Sequence, residues 1–560
     1  MIVDEMVREI IQSIIGSEEL PDDPTVDLVS YGMSSLDIMR AAGLLSKQGL
    51  PITFAEMIAH PTLAAWMESI ERNRNDRSDG RDTVTEEQPA ADESFELTKV
   101  QQAYFVGRDE SQLLGGTSCH AYFEFEGKAL DPKRLERAFY ALAARHPLLR
   151  TRFTDEGVAY PLKETPWQGL EIYDLSSADD AEGQLARIRA DLSHRKLDVE
   201  AGVVFDSCLV LLPHGQTRLC MSIDLLAADV MSIKIVLREL AALYRGESLP
   251  ALTYTFTRYR ANVEEQEQEA SDRDAAYWAT RIEELPAAPH LPLTTPISDL
   301  AVPHFTRRSF VLGQRRSRAF MARAQLQGVT LPMAVASLYA HVLSIWSNTS
   351  HFLLNMPLYN RKPIDEGVDS IVSDFSSLML LEADTSNADS LGALVQRIQR
   401  RFREDAAHSG YGGTSVLADL SRVRGEVCLA PVVFASNIGG EFIDAGTRET
   451  LGTLSYMLAE TPQTILDHQL YETEQGLLFV WDFVDEILDA RMIEEAFSYY
   501  QQIVEYYGGH DWSDPFPLAL LPSYERASRG DARPAAPGPI HAGFFERAAE
   551  DPGRIALRWG

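Results

Sequence analysis

Two short segments carry residues with the types and spacing for chemistry. Residues 31–39 read Y-G-M-S-S-L-D-I-M and put Ser35 at the head of a short amphipathic helix. A helix N-terminus favours a phosphate attached to such a serine, because its free N–H groups and dipole point at the added charge. The plainer alternative is that Ser34 or Ser35 is only an N-cap. Residues 224–232 read D-L-L-A-A-D-V-M-S and put Asp224 and Asp229 where an apolar strand turns into a helix. A carboxylate buried there needs a cation. Ser232 is placed to cap that helix. Farther along, L-D-H-Q carries Asp467 beside His468, and Y-N-R-K-P carries Asn360 and Arg361.

The elements that must position these residues follow from hydrophobic periodicity. Met6, Val7, Ile10, Ile11, Ile14 and Ile15 recur at helical spacing. A loop from Pro21 to Gly32 precedes the Ser35 helix. A last helix opens at H-P-T-L-A-A-W, with Pro61 in its first turn. Residues 1–72 are therefore predicted to be a small four-helix bundle. Residues 73–94 are charged, polar and almost free of apolar side chains, the composition of a linker. From Phe95 to about Leu521 strands alternate with helices. Strands are expected at Ala121 to Phe125, Leu219 to Leu226, Phe352 to Leu358, Val432 to Ser436 and Leu477 to Val484. Helices are expected at Leu135 to Ala144, Ile233 to Tyr244, Met333 to Trp346 and Met492 to Tyr507. This pattern predicts two α/β lobes, 95–283 and 284–522. Residues 523–560 read as a second linker and the start of a further domain, ending in a strand-like I-A-L-R-W-G. That ending is what a fragment of a longer polypeptide would show.

Composition narrows the function. At 560 residues several domains are expected, and 45% hydrophobic content is ordinary for a globular protein. A net charge of -32 argues against nucleic acid, which needs basic patches. There is no run of 18 apolar residues and no signal peptide at the acidic N-terminus, so a cytoplasmic protein without a membrane span is expected. Cys119, Cys208, Cys220 and Cys428 lack CxxC spacing and read as reduced core thiols; no metal site is expected.

Residues 1–72 resemble a carrier domain of a nonribosomal peptide synthetase, whose motif is G-x-D-S-L or G-x-D-S-I. Leu36 sets the register and selects Ser35 as the attachment point of 4'-phosphopantetheine. Ser34 stands where the motif has Asp. The tail F-A-E-M-I-A-H-P-T-L-A-A-W is most similar to aryl carriers that open siderophore assembly lines. Its place at Met1 fits an initiating carrier loaded in trans.

Residues 95–521 resemble a heterocyclisation domain of the condensation superfamily. The motifs, in order, are F-E-L-T-K-V-Q-Q-A-Y-F-V-G-R (95–108), R-H-P-L-L-R-T-R-F (145–153) and D-L-L-A-A-D-V-M-S (224–232), followed by Y-W-A-T-R-I-E-E-L-P-A-A-P-H-L-P-L (277–293). N-M-P-L-Y-N-R-K-P (355–363), S-D-F-S-S-L-M-L-L-E (373–382), P-V-V-F-A-S-N-I-G (431–439) and T-P-Q-T-I-L-D-H-Q (461–469) complete the set. An ordinary condensation domain has H-H-x-x-x-D-G where this chain has Asp224 and Asp229.

The resemblance implies two chloramphenicol-acetyltransferase-like lobes in a V, amide formation with a Cys, Ser or Thr thioester, and cyclodehydration to thiazoline or oxazoline. It implies Asp467 as the cyclodehydration carboxylate and Asn360 as an active-region residue. Asp229 with Arg361 is expected to be a structural pair, with Asp224 similar, and His468 a structural hydrogen-bonder. Implied partners are a phosphopantetheinyl transferase, a loading adenylation enzyme acting in trans, and downstream adenylation and carrier domains. One departure stands out. The family's V-V-F-T-S threonine is Ala435 here, and neighbouring Ser436 points to the opposite face of its strand. Condensation without cyclisation, and a non-catalytic scaffold presenting a carrier, are the rival expectations.

Overall fold

The computed structural model describes residues 2–15, 20–33, 35–77, 93–347 and 349–521. The N-terminal part has four helices, Ile2–Ile15, Ser35–Lys47, Phe54–Ala59 and Leu63–Arg77. They pack because each has an apolar stripe: Val7 and Ile11, Ile38 and Leu45, Met57 and Ile58, and Trp66 and Ile70 are all buried. The Trp66 indole N–H donates to the Met57 carbonyl (3.0 Å), so this large ring is buried with its polar edge satisfied. The third helix opens on a capping box between Thr53 and Glu56. The last helix runs to Arg77, five residues into the segment expected to be linker. Its charged residues still form a helix, since i to i−4 bonding continues while nothing breaks it. The rest of that expected linker to residue 92, Ser34 and residues 522–560 lie outside the described residues.

Among the described residues the larger part is built on two large sheets, beside a small one of Phe95–Glu96, Val158–Pro161 and Thr151–Phe153. The first has five strands in the order Thr453–Glu460, His120–Lys128, Gln216–Asp224, Phe205–Leu211 and Glu171–Asp174. The second has six, in the order Ser376–Asp384, His351–Tyr359, Val432–Asn437, Leu466–Thr473, Gly476–Val484 and Phe305–Gly313. One strand pairs across the expected 283/284 division. Strand Thr453–Glu460 comes from the second half of the chain but pairs antiparallel with His120–Lys128 in the first sheet. Without it, the edge of that strand would expose a row of unpaired backbone groups.

Helices cover the sheets and start where the sequence caps them. Pro132–Arg145 begins at Asp131 with proline in its first turn. Val230–Arg245 begins at Asp229 and stops at Gly246, whose φ of 83° suits the left-handed stop. Leu331–Trp346 is buried nearly all round. No single described helix is long and apolar enough to cross a membrane. Cys119, Cys208 and Cys220 are buried and Cys428 is half-buried; all four are free thiols.

Candidate active site

The strand Gln216–Asp224 ends in a tight turn into helix Val230–Arg245, and both motif aspartates are consumed in fixing it. Asp224 is fully buried and pairs with Arg108 (2.6 Å). Its other oxygen accepts the Leu226 N–H (3.1 Å). The Arg108 guanidinium also donates to the Leu197 carbonyl. Asp224 is thus tied to the end of helix Lys99–Gly107, 116 residues away in sequence. Arg108 was quoted in the first motif, but nothing local marked it as the partner.

Asp229 is the N-cap, accepting the Ser232 N–H at 2.7 Å. The expectation that Ser232 caps the helix is corrected. Its hydroxyl reaches across to residue 373, donating to the Ser373 carbonyl (2.7 Å) and accepting the Ser373 N–H (3.0 Å). Asp229 accepts the Phe375 N–H (3.3 Å) and donates its own N–H to the Ser373 carbonyl (3.0 Å). Arg361 lies 3.6 Å from Asp229, an ion pair without a direct hydrogen bond. Its nearer contacts are the Ser232 hydroxyl and the Val368 and Ile371 carbonyls, each at 3.0 Å, and the Phe375 ring, 4.1 Å below the guanidinium. This arrangement latches the first sheet's helix to the segment leading into strand Ser376–Asp384. Asn360 sits at the same place with its backbone held on both sides, its N–H donating to the Phe375 carbonyl and its carbonyl accepting the Tyr259 hydroxyl.

A second cluster lies on one face of the six-stranded sheet. Cross-strand partners share a face. Asp467 pairs in register with Val433 on one side and Asp482 on the other. Ala435 is opposite Gln469, Val433 is opposite Asn355, and Asp482 is opposite Arg307. The Gln469 amide donates to Asp467 (2.6 Å) and to Asp482 (3.1 Å), and its carbonyl accepts the Tyr471 hydroxyl (2.7 Å). Arg307 grips Asp482 with Nε (2.6 Å) and Nη2. Each member is therefore held by the next. Two atoms of the network are buried without a hydrogen-bond partner, Arg307 Nη1 and Asp467 Oδ1, and of these only the second is on a carboxylate.

The consequence is a carboxyl poised near neutrality. Burial, reinforced by the Asp482 charge, pushes Asp467 up to about 7. Asp374, also buried, is pushed up to about 7 by burial and the Asp229 charge. The phenol of Tyr104 is raised by burial and by Cys119, Asp374, Asp467 and Tyr359, which places it within electrostatic reach of both carboxyls. Tyr359 donates to Asn437.

Alternation removes the two neighbours that look tempting in sequence. His468 points to the other face, where it bonds the Tyr500 hydroxyl (2.7 Å) and stacks on Phe434 (4.9 Å). Burial drops it to about 3, so it stays neutral there. Ser436 shares the Phe434 side of its strand, while half-buried Ala435 shares the Asp467 side and presents only a methyl group. Sequence reasoning missed Gln469, Tyr471, Asp482, Arg307 and Tyr104. A signal existed for two of them: Gln469 and Tyr471 are two and four residues past Asp467, the period that keeps strand residues on one face.

Comparison with known proteins places this geometry. The Condensation domain family matches residues 92–510, and the Phosphopantetheine attachment site family matches residues 5–70. Phenyloxazoline synthase MbtB of Mycolicibacterium paratuberculosis is 37% identical over 569 residues, covering 99% of this chain and 48% of the relative. Pyochelin synthetase PchE of Pseudomonas aeruginosa is 36% identical over 552 residues, covering 96% of this chain and 38% of the relative. The chain spans less than half the length of either. Among solved structures, the EpoB cyclization-docking bidomain from Sorangium cellulosum has a TM-score of 0.71 at 29% identity, over 80% of this chain and 92% of that one. The first condensation domain of the calcium-dependent antibiotic synthetase shares the fold, with a TM-score of 0.60 at 19% identity over 76% of this chain and 98% of that one.

Proposed function

The chain belongs to the condensation-domain family and carries a phosphopantetheine-attachment domain ahead of its condensation domain, and we propose that it forms and then cyclises an amide on carrier-bound substrates. In this reading Ser35 bears the 4'-phosphopantetheine arm, installed by a phosphopantetheinyl transferase, and the arm holds an acyl group loaded in trans. The two sheets form the two lobes of a V-shaped, acetyltransferase-like domain with a tunnel between them. A Cys, Ser or Thr thioester arrives on a downstream carrier, charged by a downstream adenylation domain. Names of relatives support the chemistry: one makes a phenyloxazoline, and a solved neighbour is a cyclization domain.

The steps follow from the substrate's atoms. The amine attacks the donor thioester carbonyl, the C–S bond breaks, and the arm thiol leaves with a proton. The acceptor's side-chain thiol or hydroxyl then attacks the new amide carbonyl, whose oxygen takes a proton. That oxygen departs as water with a second proton while the nitrogen gives one up, leaving the C=N bond of the ring. Asp467 is assigned as the shuttle for these last transfers. The observation that carries this is its geometry: one oxygen held by Gln469, the other buried and unpartnered, and a proton affinity near neutrality. A group titrating near the working pH both gives and takes protons readily. Asn360 is assigned to orienting groups at the site. Asp224, Asp229, Ser232 and Arg361 hold the structure together. The domain scheme is a carrier over 1–72, a condensing and cyclising domain over 95–522, and the start of an adenylation domain after 523, in a cytoplasmic assembly line of siderophore type.

Ala435 favours one second reading, condensation without ring closure, because the hydroxyl that the family motif supplies there is missing. Product mass on the downstream carrier separates the two, since the ring lacks one water relative to the open amide. Uncyclised amide alone would overturn the first reading. No amide at all would overturn both.

A further inference from the structure

The carrier's second helix, Ser35–Lys47, holds a glycine that its own fold does not require. Gly43 lies in the helix interior with ordinary helical backbone, where glycine weakens a helix relative to alanine. The reason for it lies outside the carrier. A Cβ on Gly43 would fall 1.6 Å from Pro363 Cγ, 2.6 Å from its Cβ and 3.0 Å from its Cδ. The proline ring therefore rests directly on the bare helix backbone.

Pro363 is poorly placed to move aside. The Lys362 N–H donates to the Tyr259 hydroxyl (3.0 Å), which itself donates to the Asn360 carbonyl (3.1 Å). Tyr259 packs edge-on against Phe375 (4.9 Å). Two further contacts join the same two parts of the chain. Asp27 of the carrier pairs with Arg403 (2.8 Å), and helix Phe54–Ala59 packs on Leu391–Ala406. The contacting turn is the one that runs through Asn360 and Arg361 into the site.

We propose that Gly43 and Pro363 form a size filter for carriers at this face. It admits this chain's own carrier, whose second helix is bare eight residues after Ser35, and turns away carriers with a side chain there. The proposal rests on the carrier reading of residues 1–72 but not on the ring chemistry. The Asp27–Arg403 pair adds attraction of opposite charges at the rim, and the glycine supplies the discrimination.

The test uses the full chain with Asp27→Cys, Arg403→Cys and the half-buried Cys428 changed to Ser, joined by a short bis-maleimide, with versions carrying only one of the two introduced cysteines as controls. Gly43→Ala is the decisive variant, because alanine favours the helix and so does not unfold the carrier. Modification by a phosphopantetheinyl transferase, read by intact mass, should match the parent. Cross-linking should fall about tenfold, the scale of forcing a methyl group into filled space, and Gly43→Leu should fall further. Adding Pro363→Gly to Gly43→Ala should restore the cross-link. Parent-level cross-linking in Gly43→Ala, or no recovery with Pro363→Gly, overturns the filter. Because cross-linking needs no acyl transfer, failure of the parent to make amide or ring counts against the proposed function and leaves this result standing.

Discussion

Asp229 and Asp467 are both buried carboxylates in motifs of one chain, and they are built to opposite ends. Asp229 has partners on both oxygens: two backbone N–H groups and the nearby Arg361 cation. Asp467 has one amide donor, the like charge of Asp482 directly opposite on the neighbouring strand, and one oxygen with no partner. Full satisfaction makes a latch, because moving any member leaves buried groups unpaired. Partial satisfaction leaves a site with unused bonding capacity and a proton that moves near pH 7. Motif membership and burial are common to both carboxylates; what separates them is the unpartnered oxygen of Asp467.

The contrast breaks first at Asp467. Asp467→Asn should lower ring formation by about 10²–10⁴-fold, the usual contribution of a positioned acid/base group, while the melting temperature does not fall and open amide accumulates. Measuring ring and amide by mass on the downstream carrier checks it. Undiminished ring formation would put Asp467 alongside Asp229 as structure. The same variant has a stability signature. The folded state keeps the Asp467 proton up to about pH 7, whereas an unfolded aspartate releases it near about pH 3.9. Stability relative to a neutral side chain is therefore whole below about pH 4 and is lost as pH rises through 7. Asp467→Asn should flatten part of that decline in melting temperature, and Asp374 should account for another part.

Asp229→Ala should behave in the converse way. Breaking a buried ion pair costs about 3–5 kcal/mol, since the other charge is left uncompensated, and the helix also loses its cap. Denaturant unfolding should show that loss along with reduced activity. A variant that unfolds like the parent but has lost catalysis would move Asp229 into the reaction.

A smaller effect is expected at Gln469, where substitution sharpens the comparison by removing the one side-chain hydrogen bond that Asp467 has among the described residues. Gln469→Leu should slow ring formation about tenfold through loss of positioning. Because that hydrogen bond lowers Asp467's proton affinity, its removal should shift the pH–rate limb to higher pH. A slower rate with an unmoved limb would make Gln469 a packing residue only. The smallest change is a gain: Ala435→Thr should raise the ratio of ring to amide severalfold, as a hydroxyl returns to the face that Gln469 and Asp467 occupy. An unchanged ratio would mean that the parent site has no vacancy for it.

What the amino-acid sequence alone determined here is local and periodic. The helical stripe from Met6 to Ile15 appears as the helix Ile2–Ile15, and the apolar runs at 219 and 477 appear as strands Gln216–Asp224 and Gly476–Val484. The two-residue period turns Asp467 and Ala435 to one face and His468 and Ser436 to the other, as the pairing register bears out for the strand partners. Tertiary structure decided who meets whom. Asp224 finds Arg108 across 116 residues, Ser232 finds Ser373 across 141, and Arg307 finds Asp482 across 175. Strand Thr453–Glu460 leaves its own half to close the first sheet. Periodicity is written in neighbouring residues because helix and strand geometry repeat every few positions. The partner of a buried charge is chosen by proximity after the chain has folded, and distance along the sequence carries no record of that choice.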